Sequence, residues 1–199
     1  LIFVSVFLCV IVLAFSAFNT SDNTMEVKQV VNTIEHKNSA YELVKSRRTA
    51  ASFESVSMFT LSSKDNSAAL QNAVTDAAFF ALDRAALRSI YSKNAQNITL
   101  VLPASKGSIE LELCQVNFIP DNFRITTSDG KTEEYKRGLY YQGIIKGENN
   151  SMAAISIFEN EVIGIVSTDG GNYNLGAMLN DNNEYIYYND RDLRTPFNF

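Results

Sequence analysis

The chain has no tryptophan, one histidine, two cysteines and three prolines in 199 residues. The single histidine, His36, rules out a zinc site of the His-Glu-x-x-His kind, because that site needs two imidazoles one helical turn apart. The cysteine count rules out a disulfide scaffold: Cys9 lies in an apolar N-terminal run, which leaves Cys114 alone. Basic charge is also scarce. Seventeen Lys and Arg face twenty-two Asp and Glu, for a net charge of −5, which argues against a phosphate-binding face and so against nucleic acid as a partner. No Gly-x-Ser-x-Gly elbow is present, and Ser156 and Ser167 have no base at a plausible spacing. No glycine loop opens a helix to cradle phosphate, and Gly170-Gly171 falls between two strand-like runs.

A membrane-spanning run is missing as well. Leu1 to Phe15 is apolar and uncharged but short of the roughly 20 residues that cross a bilayer. It matches the apolar region of a secretory signal peptide, with small residues at Ala14-Phe15-Ser16-Ala17 for cleavage. The alternative is an uncleaved anchor. No Met or basic segment precedes the run, so the chain reads as a fragment without its start. Membrane contact is expected only through this transient signal, and the destination is extracellular.

What the chain does have is ordinary globular material: 46% hydrophobic and 20% charged residues. Thr24 to Lys45 carries Val27, Val30, Val31 and Ile34 at helical spacing, with an interruption near Asn38-Ser39, and Arg47-Arg48 reads as an exposed loop. Phe53 to Leu61 reads as one strand, and in Ala68 to Leu82 the alanines favour a helix while Ala77 to Leu82 could equally be a buried strand. Asp83 can cap a short helix over Arg84 to Lys93. Ile98 to Leu102 is a strand ended by Pro103. In Gly107 to Phe118, Ile109, Leu111 and Leu113 share one face, and Glu110 and Glu112 share the other. Cys114 has the parity of the glutamates, so partial exposure is expected. Ser128 to Lys131 is an Asp-Gly turn.

Seven of the nine glycines fall between Gly138 and Gly176. From there to Tyr188 short strands recur at about ten-residue intervals: Leu139–Ile145, Met152–Phe158, Val162–Val166, Tyr173–Leu175 and Tyr185–Tyr188. Tight turns join them, the pattern of an antiparallel meander. The fold class expected is α+β, a predominantly antiparallel sheet with one or two packed helices. Glu133-Glu134 and Asp190 with Asp192 could pair as catalytic carboxylates or a calcium site, or simply solvate loops. Tyr140, Tyr141, Tyr173, Tyr185, Tyr187 and Tyr188 could form an aromatic binding surface or fill the sheet.

One stretch carries a resemblance. Tyr140-Tyr141-Gln142-Gly143, then Gly147, Ser151, Ile155-Ser156, Gly164, Tyr173 and Leu175 resemble the propeptide of the reprolysin-like (adamalysin) zinc metalloproteases, in a secreted bacterial-type variant. The match covers about forty residues, with a looser extension back to Thr75. It implies a signal peptide over 1–17, a helix and strand lead-in over 18–67, a β-rich prodomain over 68–189, and the start of a linker over 190–199. It further implies a folding assistant and latency inhibitor that is not itself catalytic and has no cofactor of its own. The partner would be the chain's own protease domain in cis, where the zinc would reside. In some relatives a free cysteine ligates that zinc. Cys114 lacks the usual surroundings of such a switch, which favours a half-buried structural thiol over a zinc switch. Two other readings stand beside this one: a stand-alone extracellular module binding glycan or protein through its tyrosines, and a secreted hydrolase using paired carboxylates.

Overall fold

The computed structural model describes residues 38–62, 73–105, 107–120, 122–133, 135–179 and 181–194. The signal segment, Cys9, the Val27–Ile34 stripe, His36, Glu134 and residues 195–199 lie outside them. Among the described residues, no helix is long and apolar enough to cross a membrane.

Helix α1 spans Ser39–Ala50. The expected interruption at Asn38-Ser39 is where this helix begins. The Asn38 side chain accepts hydrogen bonds from the backbone N–H groups of Ala40 and Tyr41, satisfying donors that have no partner within the helix. Arg47 and Arg48 are in its last turn and not in a loop, where their charge complements the helix C-terminus. The second helix, α2, spans Arg84–Lys93. It is capped by Asp83 as expected and ends at Asn94, which has a left-handed backbone.

Among the described residues, twelve strands follow the chain order: β1 (Glu54–Ser57), β2 (Phe59–Leu61), β3 (Ala78–Leu82), β4 (Asn97–Ala104), β5 (Gly107–Gln115), β6 (Ile125–Thr126), β7 (Thr132–Glu133), β8 (Leu139–Ile145), β9 (Met152–Ile157), β10 (Val162–Thr168), β11 (Gly171–Met178) and β12 (Asp181–Asn189). Ten of them form one sheet in the order β1-β4-β5-β8-β9-β10-β11-β12-β3-β2, while β6 and β7 form a separate hairpin. The class is α+β as expected, but the sheet is not a simple antiparallel meander. β1 pairs with β4 in parallel. The long stretch between them, through β3 and α2, is the kind of crossover that parallel pairing requires.

The expected single strand Phe53–Leu61 is divided at Met58, which is buried. Its first half pairs with β4 and its second half with β3, so one stretch of chain supplies both ends of the strand order. The sheet therefore curls almost into a barrel. Pro103 does not end β4, which continues to Ala104. β1 runs beside β4 only as far as Val101, so the residue without an N–H falls where the ladder is one-sided.

The concave side holds the core. β4 and β5 alone contribute Ile98, Leu100, Leu102, Leu111 and Leu113, all fully buried, each worth about 1.5–3 kcal/mol. The convex side of β5 and β8 is covered by α1, which packs Ala40 and Val44 onto Cys114 and Ile144. Cys114 is consequently buried, against the expectation of partial exposure. The strand alternation was read correctly, but a second layer lies over the face it assigned to water.

Candidate functional site

α2 closes one end of the curled sheet. Leu87 is buried there, with Ile90 and Tyr91 packed on the same core, and the Tyr91 hydroxyl donates to the Arg137 carbonyl. The opposite end is ringed by the β4–β5, β8–β9 and β10–β11 turns, and it is open.

The residues of the family resemblance build the β8–β11 part of this frame. Tyr141 is buried, and its hydroxyl donates to the Ala95 carbonyl at 2.8 Å; burial pushes its pKa up to about 12. Gln142 is exposed on the convex face. Gly143 lets β5 and β8 approach closely: a Cβ there would lie 1.8 Å from the Glu112 carbonyl oxygen. Gly147 turns the chain with φ 90°, a conformation that suits glycine. Ser151, fully buried, clamps the same turn, accepting from the Ile145 N–H at 2.8 Å and donating to the Glu148 carbonyl at 2.7 Å. Asn38 ties α1 to this turn by donating to the Asn149 and Ser151 carbonyls, each at 2.8 Å. Ser156 is half-buried on the convex face, between Tyr140 and Ile163. Gly164 leaves room for the Ile155 side chain.

Tyr173, the last motif residue, points into the open end. Its ring stacks on Tyr187, with 5.3 Å between centroids, and Tyr187 stacks in turn on Phe80 at 6.2 Å. A hollow of about 640 Å³ lies against this pair, lined also by Ile109, Ile145, Glu148 and Thr168. A second hollow of about 440 Å³ shares Ile109, Tyr173 and Tyr187. At the rim, Lys146 is paired with Glu110, a contact that raises the lysine pKa. Burial raises the Tyr187 pKa, and the neighbouring Tyr173 and Glu148 add to the effect.

Other residues singled out from sequence are not gathered here. Cys114 lies beneath α1, and its pKa is pushed up to about 11, chiefly by burial. Burial and the raised pKa disfavour the thiolate, the form that acts as nucleophile or metal ligand. Asp190 accepts from the Asn172 backbone and side chain, and Asn172 lowers its pKa. Asp192 accepts from the Thr75 hydroxyl. Each carboxylate thus fastens a strand end, and the two do not converge on a common ligand position. Among the described residues no group of three or more His, Cys, Asp or Glu could hold a metal ion. The six tyrosines do not form one exposed face, since Tyr141, Tyr185 and Tyr187 are buried.

Sequence reading missed Ile109, Glu148 and Thr168 as neighbours of Tyr173. The shared parity of Tyr185 and Tyr187 was a usable signal, but which strand faces which required the register. The chain matches no protein-family model and no curated protein sequence.

Proposed function

We propose that this chain is the prodomain of a secreted reprolysin-like zinc metalloprotease. It is non-catalytic itself, assists folding of the protease domain, and holds that domain latent by binding it in cis. It enters the secretory route through a signal peptide at residues 1–17, and the zinc belongs to the protease domain.

One observation carries this reading. The convex face of β9 and β10, the strands at the centre of the family motif, is uncharged and carries three exposed apolar side chains beside Ser156 and Ser167. Met152, Ile163 and Ile165 are 48%, 47% and 40% exposed. They flank Ala154 and Ser156 across the ladder, with Gly176 of β11 beside Ile163. Contiguous exposed apolar patches can mark protein-contact surfaces. The two ends of the sheet order, β1 and β2, are short strands of four and three residues, which leaves little strand edge for docking beside this face. A glycan-binding module built on a face of exposed tyrosines is the weaker reading, because Tyr141, Tyr185 and Tyr187 are buried.

The test is inhibition. Adding the isolated chain to the mature protease should suppress peptide hydrolysis, and Ile163→Asp with Ile165→Asp should relieve the suppression without unfolding the domain. Undiminished hydrolysis at saturating chain would overturn the reading. So would a reading frame beyond Phe199 with no His-Glu-x-x-His-x-x-Gly-x-x-His motif.

A further inference from the structure

We infer that the open end of the sheet is a binding site for a basic peptide side chain, its ammonium or guanidinium seated on the Tyr173–Tyr187 pair with Glu148 as counter-ion. The inference rests on the geometry of this end alone and stands or falls separately from the prodomain reading.

Three features converge. First, the hollow is large enough for a side chain, at about 640 Å³, and inward-facing residues of β5, β8, β10, β11 and β12 wall it. The open end of a curled sheet is a common position for a ligand pocket. Second, its floor is aromatic. Tyr173 is only half-buried, so part of the stacked pair remains accessible from the opening, and an electron-rich ring attracts a cation. The Tyr187 hydroxyl has no hydrogen-bond partner among the described residues, which leaves it free to accept from an N–H donor. Third, the charge at the lining is negative. Glu110 and Glu148 contribute two carboxylates against the one ammonium of Lys146. Lys146 is engaged by Glu110, while Glu148 is exposed and has no ion pair among the described residues. Glu148 lines the same hollow as Tyr173 and Tyr187.

This combination discriminates between ligands. An anion would meet Glu148 with no free cation to offset it. A neutral apolar ligand would gain nothing from the carboxylate and would leave the Tyr187 hydroxyl unpaired. A guanidinium or ammonium at the end of an aliphatic stem fits all three features, with its stem along Ile109 and Ile145.

The experiment titrates the intact chain with N-acetyl-arginine amide, following the backbone NMR signals of Thr168, Tyr173 and Tyr187. N-acetyl-citrulline amide, of nearly the same shape but neutral, is the control. Saturable shifts confined to the open end with the arginine derivative, and at least about tenfold weaker binding of the citrulline derivative, are expected. Glu148→Gln should weaken the arginine titration by about tenfold. Ile163→Asp, on the convex face and away from the open end, should leave the arginine titration unchanged. Equal binding of both amides, shifts centred elsewhere, or no saturable shift at all would overturn the inference.

Discussion

Tyr173 of β11 and Tyr187 of β12 stack with ring planes 16° apart, although they are not directly paired. Tyr173 stands opposite Asn189, and Tyr187 stands opposite Leu175. The contact is a diagonal one, within reach of large aromatic side chains across an antiparallel ladder. Asn189 is thereby left at the strand end, where its side chain donates to the Gly170 carbonyl and fastens the β10–β11 turn.

Removing the Tyr187 hydroxyl should cost the free protein little, since the group has no partner among the described residues. Tyr187→Phe should shift unfolding free energy by no more than about 0.5 kcal/mol. Tyr187→Ala should cost about 3–5 kcal/mol, because it empties the centre of the column between Tyr173 and Phe80. Urea denaturation of the two variants checks the difference.

Gly143 is the least replaceable position on β8. A Cβ there meets the Glu112 carbonyl at 1.8 Å, and neither backbone can retreat without breaking the β5–β8 ladder. Gly143→Ala should therefore cost about 3 kcal/mol or more. Thermal unfolding followed by far-ultraviolet circular dichroism reads this as a fall in Tm or as failure to fold.

The turn between β8 and β9 should depend on Ser151. Ser151→Ala removes the hydroxyl from the Ile145 N–H and the Glu148 carbonyl, at an expected cost of about 1–3 kcal/mol. Amide exchange should accelerate at Ile145 and Ser151 first. An unchanged Ile145 exchange rate would contradict the clamp.

Cys114 makes stability pH-dependent on the alkaline side. The thiol titrates near 11 in the folded chain and near about 8.5 when unfolded. Below about pH 8.5 both states hold the proton. As pH rises toward 11 the unfolded chain loses it and the folded chain does not, so stability falls across that window. Cys114→Ala should flatten the fall, which unfolding measurements between pH 8 and 11 would detect. The same burial predicts that a thiol reagent modifies Cys114 only after denaturation.

The Arg48–Glu112 pair joins α1 to the convex face of β5. Arg48 is more than a third exposed and Glu112 is nearly buried, so solvent screens part of the attraction. Arg48→Ala should cost about 1 kcal/mol, above a freely exposed pair and below a fully buried one. A double-mutant cycle with Glu112→Gln isolates the pairwise term.

Much of the local structure was legible in the chain. The Asp83 cap, α2 over Arg84–Lys93, the Asp-Gly turn and the strands from Leu139 to Ile157 follow from capping chemistry, turn residues and alternation, which act over a few positions. Three misreadings share one cause. Cys114 looked half-exposed, Pro103 looked like a terminator, and Phe53–Leu61 looked like one strand, because each depends on what lies beside the strand and not within it.

By itself the sequence determined the Asp83 cap and α2, most of the strands from Leu139 onward, that one face of β5 is apolar, and that Gly147 and Gly171 lie in turns. Tertiary structure decided that α1 covers the Cys114 face, that Glu54–Leu61 supplies both ends of the sheet order, and that Tyr173 meets Tyr187 above Ile109 at an open end. The same holds for the family-motif stretch, whose residues proved to be the frame of that end. Alternation and turn chemistry are short-range and can be read along the chain. Register and layer packing are set by contacts between residues tens of positions apart, and those appear only when the chain has folded.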